Sequence, residues 1–403
     1  MMWKNRRSSG LTLLVTIFAS TLELLVLQLS VRAQNLLPGA QFSPPVAYSK
    51  VVPLTGVSEA AVRLAVASGT TVPMWNFSLT SPVDGNSYSG VMVGRSPFFH
   101  GARTTYVAAV IVPLIVNMPD GGVFDPTVAD PCAQSHSPLA LVQQSPLLQT
   151  ASFSINGTSV GTTQYIDAFQ RANFWEANVS ITGSRYHTML SPVTTTNAAT
   201  FNVPSGMGAT YSTALYGGCG SLGVVDFSTM DNFVRNTLIP GLASQGVGTA
   251  VLPIIILGNV VLGDPGDSLT SNCCVIGYHG AYGSPVQTYA LSDYESTGIF
   301  PGLADVSALS HEIGEWEDDP LGSNPTPAWG HVGQVSGCQN NLEVGDPLSG
   351  TLFTPISMPN GVTYHTQELA FFSWFYRQSP SLGAGGLYSD NGTFDTDAGA
   401  VCQ

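Results

Sequence analysis

Two uninterrupted apolar runs constrain the architecture of this 403-residue chain more than any other feature. Residues 106–116 (YVAAVIVPLIV) are rich in β-branched side chains, and residues 250–261 (AVLPIIILGNVV) form the most apolar predicted strand. Neither run alternates with polar residues, so each reads as a buried strand. Shorter strands are predicted at 151–155, at 178–181 and from Cys274 to Tyr278, with 280–290 as an edge strand. Helices are predicted over 163–175, over 228–244 with Ser228 or Thr229 as cap and a bend at Pro240, and from near Asp305 to Pro320 with Asp305 or Ser307 as cap. A last, strongly apolar helix is predicted over 365–378. These elements predict an α+β fold. Residues 34–205 form a β-rich N-terminal region and 206–403 carry a helix on a mixed sheet; the two can make one compact domain.

The first ten residues carry Lys4, Arg6 and Arg7, an apolar stretch follows, and Val31-Arg32-Ala33 supplies small residues at the −3 and −1 positions. This is the order of a secretory signal peptide spanning 1–33. The alternative is an uncleaved anchor, against which Glu23 stands, since a carboxylate in mid-span costs about 2–3 kcal/mol. The expected location is therefore outside the cytoplasm: secreted, periplasmic or on the cell surface. Removing the leader takes away Lys4, Arg6, Arg7 and Arg32 of the 12 basic residues and Glu23 of the 26 acidic ones, so the net charge moves from −14 to −17. Such a surface repels phosphate backbones and anionic lipids, which argues against nucleic-acid or membrane partners. Only 9% of residues are charged while 44% are hydrophobic, the composition of a folded, turn-rich exported protein and not a disordered one. All six cysteines follow the leader, and an even count in an oxidising compartment favours disulfides. Adjacent Cys273 and Cys274 are expected to bond to two different partners. No CxxC pair supports a zinc knuckle.

The concentrated chemistry lies in residues 311–346. In S-H-E-I-G-E-W-E-D-D-P, His311 and Glu315 stand at i and i+4, one turn apart on one helical face, where an imidazole nitrogen and a carboxylate oxygen can reach the same cation. Glu312 lies about 100° round the helix, placed to take a proton from a metal-activated water. This is the layout of H-E-x-x-H zinc peptidases with glutamate in place of the second histidine. A Gly-, Pro- and Asn-rich loop then returns the chain at Glu343 and Asp346, either of which can supply a third ligand. One histidine with carboxylates suits one divalent metal, Zn²⁺ first and Ca²⁺ or Mn²⁺ as alternatives. Asp319 is expected to hold the His311 ring by its other nitrogen or to cap the loop ahead of Pro320. His279 and His331 are candidate cleft residues, and His331 an alternative third ligand. Glu317 and Asp318 read as solvated charges. Gly314 admits the close approach of another element.

The stretch H-E-x-x-E-x-x-x-D-P, followed by Trp329 and then E-V-G-D at 343–346, resembles the extracellular EXORDIUM (phosphate-induced) family and related bacterial secreted proteins. The G-Y-H-G of residues 277–280 is similar to that family's segment ahead of the helix. The resemblance implies an extracellular, zincin-like C-terminal half, with site roles for His311, Glu312, Glu315, Asp319, Glu343 and Asp346. Two functions follow as expectations. One is a secreted metallopeptidase-like hydrolase with Glu312 as general base, acting on a peptide or cell-wall-associated substrate. The other is a non-catalytic extracellular protein whose His/Glu site binds a structural cation.

Overall fold

The computed structural model describes residues 45–99, 103–263, 273–397 and 402. The predicted leader, residues 1–33, lies outside them. Residues Pro44–Gln403 cluster as one compact unit.

An 11-stranded mixed sheet organises that unit. Its strands are β1 (Tyr48–Val52), β2 (Thr104–Asn117), β3 (Val123–Phe124), β4 (His187–Thr195), β5 (Ala199–Asn202), β6 (Gly208–Ser212), β7 (Ser221–Asp226), β8 (Leu252–Gly258), β9 (Val260–Gly263), β10 (Val275–Tyr282) and β11 (Gln287–Tyr294). The order across the sheet is β6-β7-β9-β10-β11-β8-β2-β3, with β1 beside β10 and both β4 and β5 beside β2. The two apolar runs are neighbours in its interior: β8 pairs with β2 in parallel, from Leu252 opposite Ala109 to Ile256 opposite Pro113. They lack alternation because both faces are covered. Ile254 and Ile256 join the larger core with Val107, Ala109 and Ile111, while Ile255 and Leu257 join a second core with Val110, Val112 and Leu114. The second core is closed by the helical segment that begins at Phe227–Phe233. The fold is α+β.

Several expected elements come out differently. The run at 250–261 is two strands, because Asn259 takes a left-handed φ of 56° and carries the chain from β8 to β9; asparagine tolerates that conformation better than most residues. Residues 280–290 are no edge strand: they contain the turn of the β10–β11 hairpin in the middle of the sheet. Residues 175–179 are helical, of π type, and the Asn178 amide is fixed by donating to Pro97 O at 2.8 Å. The segment 227–242 is capped by Asp226, whose carboxylate accepts from Thr229 N at 2.7 Å, and not by Ser228 or Thr229. The predicted helix 365–378 shrinks to Phe372–Phe375. Its backbone is engaged elsewhere: Gln367 N donates to Ser310 Oγ, Glu368 N to Thr351 O and Ala370 N to Val344 O. Tertiary pairing overrides the helical pattern there.

Disulfides join Cys132 to Cys219 and Cys338 to Cys402. The remaining two, Cys273 and Cys274, bond to each other, which corrects the expectation of separate partners. The other four cysteines are consumed pairwise, and both neighbours are buried just ahead of β10. No helix among the described residues is long and apolar enough to cross a membrane.

Candidate metal centre

The site is assembled from a helix, a strand beneath it and two returning segments. The helix, α1 (Ser307–Asp318), lies across β10 and β11. It has no side-chain cap at its N-terminus, where Val306 and not Asp305 or Ser307 occupies the capping position. It stops because Asp319 leaves helical geometry ahead of Pro320, whose ring disfavours a helical predecessor. Leu309, Ile313 and Trp316 enter the larger core, yet the opposite face is covered too, so every residue of α1 is buried. Gly314 is where another segment presses closest: a Cβ there would stand 2.6 Å from Leu369 Cδ1.

From below, β10 presents alternate residues to α1. Tyr278 points into the second core, whereas Gly277 and His279 face the helix. A Cβ on Gly277 would come within 2.7 Å of Glu312 Oε1, so glycine there makes room for the carboxylate. His279 is fully buried; its Nδ1 lies 3.4 Å from Glu312 Oε2 and 3.6 Å from Glu315 Oε2. Its Nε2 faces Asp319 O at 3.3 Å and Glu343 Oε2 at 3.9 Å.

Residues Pro325–Val332 and Val335–Asn341 form a hairpin where sequence suggests only a loop, and the chain leaving it returns Glu343 and Asp346 to the helix. His311 Nε2 lies 2.9 Å from Glu315 Oε1 and 3.5 Å from Asp346 Oδ1. The ligand-type atoms of His311, Glu315 and Asp346 fall within 4.8 Å of one another, as do those of His279, Glu312 and Glu315. Of the expected ligands, then, His311, Glu315 and Asp346 converge, while Glu343 stands nearer His279. His331 is exposed and apart from the centre, its Nε2 3.8 Å from Cys338 Sγ. The Asp319 carboxylate does not reach His311; it accepts from Ser323 N at 2.9 Å and Asn324 N at 2.8 Å, and so closes the turn after α1.

Amides that carry no recognisable motif hold these groups. Gln367 Oε1 meets His311 Nδ1 at 3.0 Å, and its Nε2 donates to Gly345 O at 2.7 Å. That fixes the ring with Nε2 directed at the acids. Gln334 and Gln339 both donate to the Asp346 carboxylate, Asn341 donates to Glu343 Oε1 at 2.8 Å, and Gly345 N donates to Glu315 Oε1 at 3.2 Å. Gln334 also pairs with Ser49 like a strand neighbour, accepting from its N and donating to its O, each at 2.9 Å.

Electrostatically the centre crowds acids against two imidazoles. Burial raises Glu312 to about 8, against the pull of His311, and raises Glu315. Glu343 stands well above the usual carboxylate range because it is buried beside Glu315, Asp319 and Asp346. Burial lowers His279. Burial opposes charge on His311 as well, but the facing Glu315, Asp346 and Glu312 carboxylates outweigh it and hold the imidazole well above its ordinary value. Glu312 Oε1 and Glu343 Oε2 are buried with no hydrogen-bond partner, and His311 Nε2 is buried facing only the Glu315 and Asp346 carboxylates. Inward-facing ligand atoms on histidine and carboxylates, two of the oxygens orphaned, fit a divalent cation, which would relieve both the crowding of acids and the lost bonds.

Two clefts reach the centre, and Ser49 and Gln334 line both. One of about 440 Å³ opens at His311 between Val46, Tyr48, Ile276, Leu303 and Ala308. The other, about 420 Å³, reaches Glu315, Glu343 and Asp346 past Lys50 and Gln339. The remaining acids of α1 do not join the centre. Glu317 and Asp318 are buried, not solvated as expected; Gln170 donates to Asp318, and Asn324 takes its backbone carbonyl at 2.7 Å. No family model, curated protein or solved structure matches this chain.

Proposed function

We propose that the protein is a metal-dependent hydrolase of the metallopeptidase type, exported from the cytoplasm, with a divalent cation, zinc first, held by His311, Glu315 and Asp346. The observation that carries this reading is the convergence of His311 Nε2, Glu315 Oε1 and Asp346 Oδ1 where two clefts meet the buried helix. A cation there supplies acidification of water and polarisation of a scissile carbonyl. The chain supplies the rest. Gln367 orients His311, Gln334 and Gln339 hold Asp346, and Glu312, beside His311 on α1, is the carboxyl placed to take up and return a proton. The mostly apolar wall of the His311 cleft suits a peptide or a cell-wall-associated chain. The likeness of residues 311–320 and 343–346 to EXORDIUM-type extracellular proteins agrees with export.

Metal content after dialysis, compared with His311→Ala, tests the centre: the wild type retains metal and the variant loses it. Glu312→Gln tests the reaction. It keeps the cation at His311 and loses peptide cleavage by at least about 100-fold; an active variant would refute the role. A second reading draws on a different observation, the near-complete burial of the acids and the amide clamp on Asp346. In that reading the cation braces the hairpin and no reaction occurs. Calcium-dependent thermal stability without cleavage of any peptide tested supports the brace and overturns the hydrolase.

A further inference from the structure

We propose that the centre holds two divalent cations bridged by Glu315, the second one lying between His279 Nδ1, Glu312 Oε2 and Glu315 Oε2. The inference rests on the cation proposed at His311 and extends it to a binuclear centre.

The Glu315 carboxylate carries the geometric argument. Its two oxygens serve different imidazoles: Oε1 lies 2.9 Å from His311 Nε2, and Oε2 lies 3.6 Å from His279 Nδ1. A carboxylate that turns one oxygen to each of two histidines is arranged as a bridge. In two-metal hydrolases the ions sit about 3.5–4 Å apart, a separation that one bridging carboxylate spans. The spacing within the second group fits as well. His279 Nδ1 stands 3.4 Å from Glu312 Oε2 and 3.6 Å from Glu315 Oε2, long for direct hydrogen bonds. Ligands bonded at about 2.05 Å to a tetrahedral ion lie about 3.3 Å from one another. The His279 group therefore has the spacing of atoms around an ion more than that of an ion pair.

Ligand count and unmet bonding point the same way. Glu312, Glu315, Glu343 and Asp346 are all buried within this one centre together with His279 and His311. A four-coordinate cation held by His311, Glu315 and Asp346 leaves the His279 side of the centre without one. The unpartnered carboxylate atoms lie on that side: Glu312 Oε1 belongs to the second group and Glu343 Oε2 faces its histidine. Gly277, on the same face of β10 as His279, leaves the space in which the Glu312 carboxyl sits.

A second cation turns Glu312 from a base into a ligand. Glu312→Gln is inactive in either case, so activity does not separate the two readings and metal stoichiometry does. Equilibrium dialysis against Zn²⁺, and against Mn²⁺ with electron paramagnetic resonance, are made on the wild type and on His279→Ala. Two ions per wild-type chain falling to one in His279→Ala, with an exchange-coupled manganese spectrum at two equivalents, are the expected results. One ion per wild-type chain, unchanged in His279→Ala and giving the six-line signal of isolated manganese, overturns the second cation and leaves the first in place. No ion bound at all overturns both. Should His279→Ala fail to fold, the wild-type stoichiometry and manganese spectrum decide the question without it.

Discussion

Gly345 is the position where a single methyl group tests the centre. It precedes Asp346 with φ −86°, a backbone conformation alanine adopts freely, so Gly345→Ala introduces no conformational strain. The obstacle is purely steric: a Cβ at this position would lie 2.4 Å from His311 Nδ1 and 2.6 Å from both Cγ and Cε1. Carbon contacts are relaxed at about 3.5 Å, so the imidazole must move by about 1 Å. It has little freedom to do so, because Gln367 Oε1 holds Nδ1 at 3.0 Å and the same glutamine is anchored to Gly345 O. Overpacking of this kind costs about 1–3 kcal/mol of stability. Displacing a ligand's support typically weakens metal binding about 10- to 100-fold, and a 1 Å error in a reacting group costs a further factor of similar size in rate. Competition with a chromophoric chelator gives the affinity, and circular dichroism confirms the fold. Gly241→Ala is the matched control: its Cβ meets nothing within 4 Å, and as a helical position it gains about 0.5–1 kcal/mol. Wild-type metal affinity in Gly345→Ala would refute the placement of the cation at His311 Nε2.

Gly277→Ala, which drives a methyl into Glu312 Oε1, is expected to abolish cleavage while changing affinity at the His311 group less than Gly345→Ala does, as read by the same chelator assay. Burial raises Asp318 to about 8, so the folded state holds a proton there that the unfolded chain releases near pH 4. Its contribution to stability is therefore full below about pH 4 and is lost as pH rises towards 8, by up to about 1.4 kcal/mol per unit. Asp318→Asn keeps an oxygen for Gln170 and is expected to flatten that slope in denaturant titrations between pH 5 and 8; an unchanged slope assigns it elsewhere. Replacing Cys132 and Cys219 by serine opens a link across 87 residues and is expected to cost up to about 4.5 kcal/mol, read as a lowered Tm under non-reducing conditions.

The sheet was legible where a pattern is local. Residues 106–116 and 250–261 declare themselves as buried strands because an apolar β-branched run has few other uses, and they supply β2, β8 and the start of β9, all interior strands. The i, i+4 spacing of His311 and Glu315 likewise needs only a helix to bring the two together. What was illegible depends on where distant segments go. Residues 365–378 carry a helical pattern, but their backbone groups find partners in Ser310, Val344 and Thr351, none of which is near in sequence. Gln367, Gln334 and Gln339 hold the centre through amides, which have no spacing rule to give them away. His279 was expected to line a cleft; its place beneath α1, beside Glu312 and Glu315, follows from the register of β10, with Tyr278 turned to the opposite core.

Glu317 and Asp318, expected to be solvated, are buried with the rest of their helix. Five acids stand within the eight residues 312–319, and all of α1 and Asp319 are buried. Glu317 and Asp318 face the Gln170 side, where burial raises both carboxyls, and Asp319 is satisfied by the backbone of its own turn. Burial raises Glu312 and Glu315 too, but these two are turned towards imidazoles. They face His279 and His311 across contacts of 2.9–3.6 Å, with Glu343 and Asp346 added to the same space. A fold that only needed stability would do better with apolar residues of similar volume at these positions. Keeping four carboxyls and two imidazoles directed inward is favourable once a multivalent cation shares their lone pairs, and metal binding then becomes part of the folding free energy.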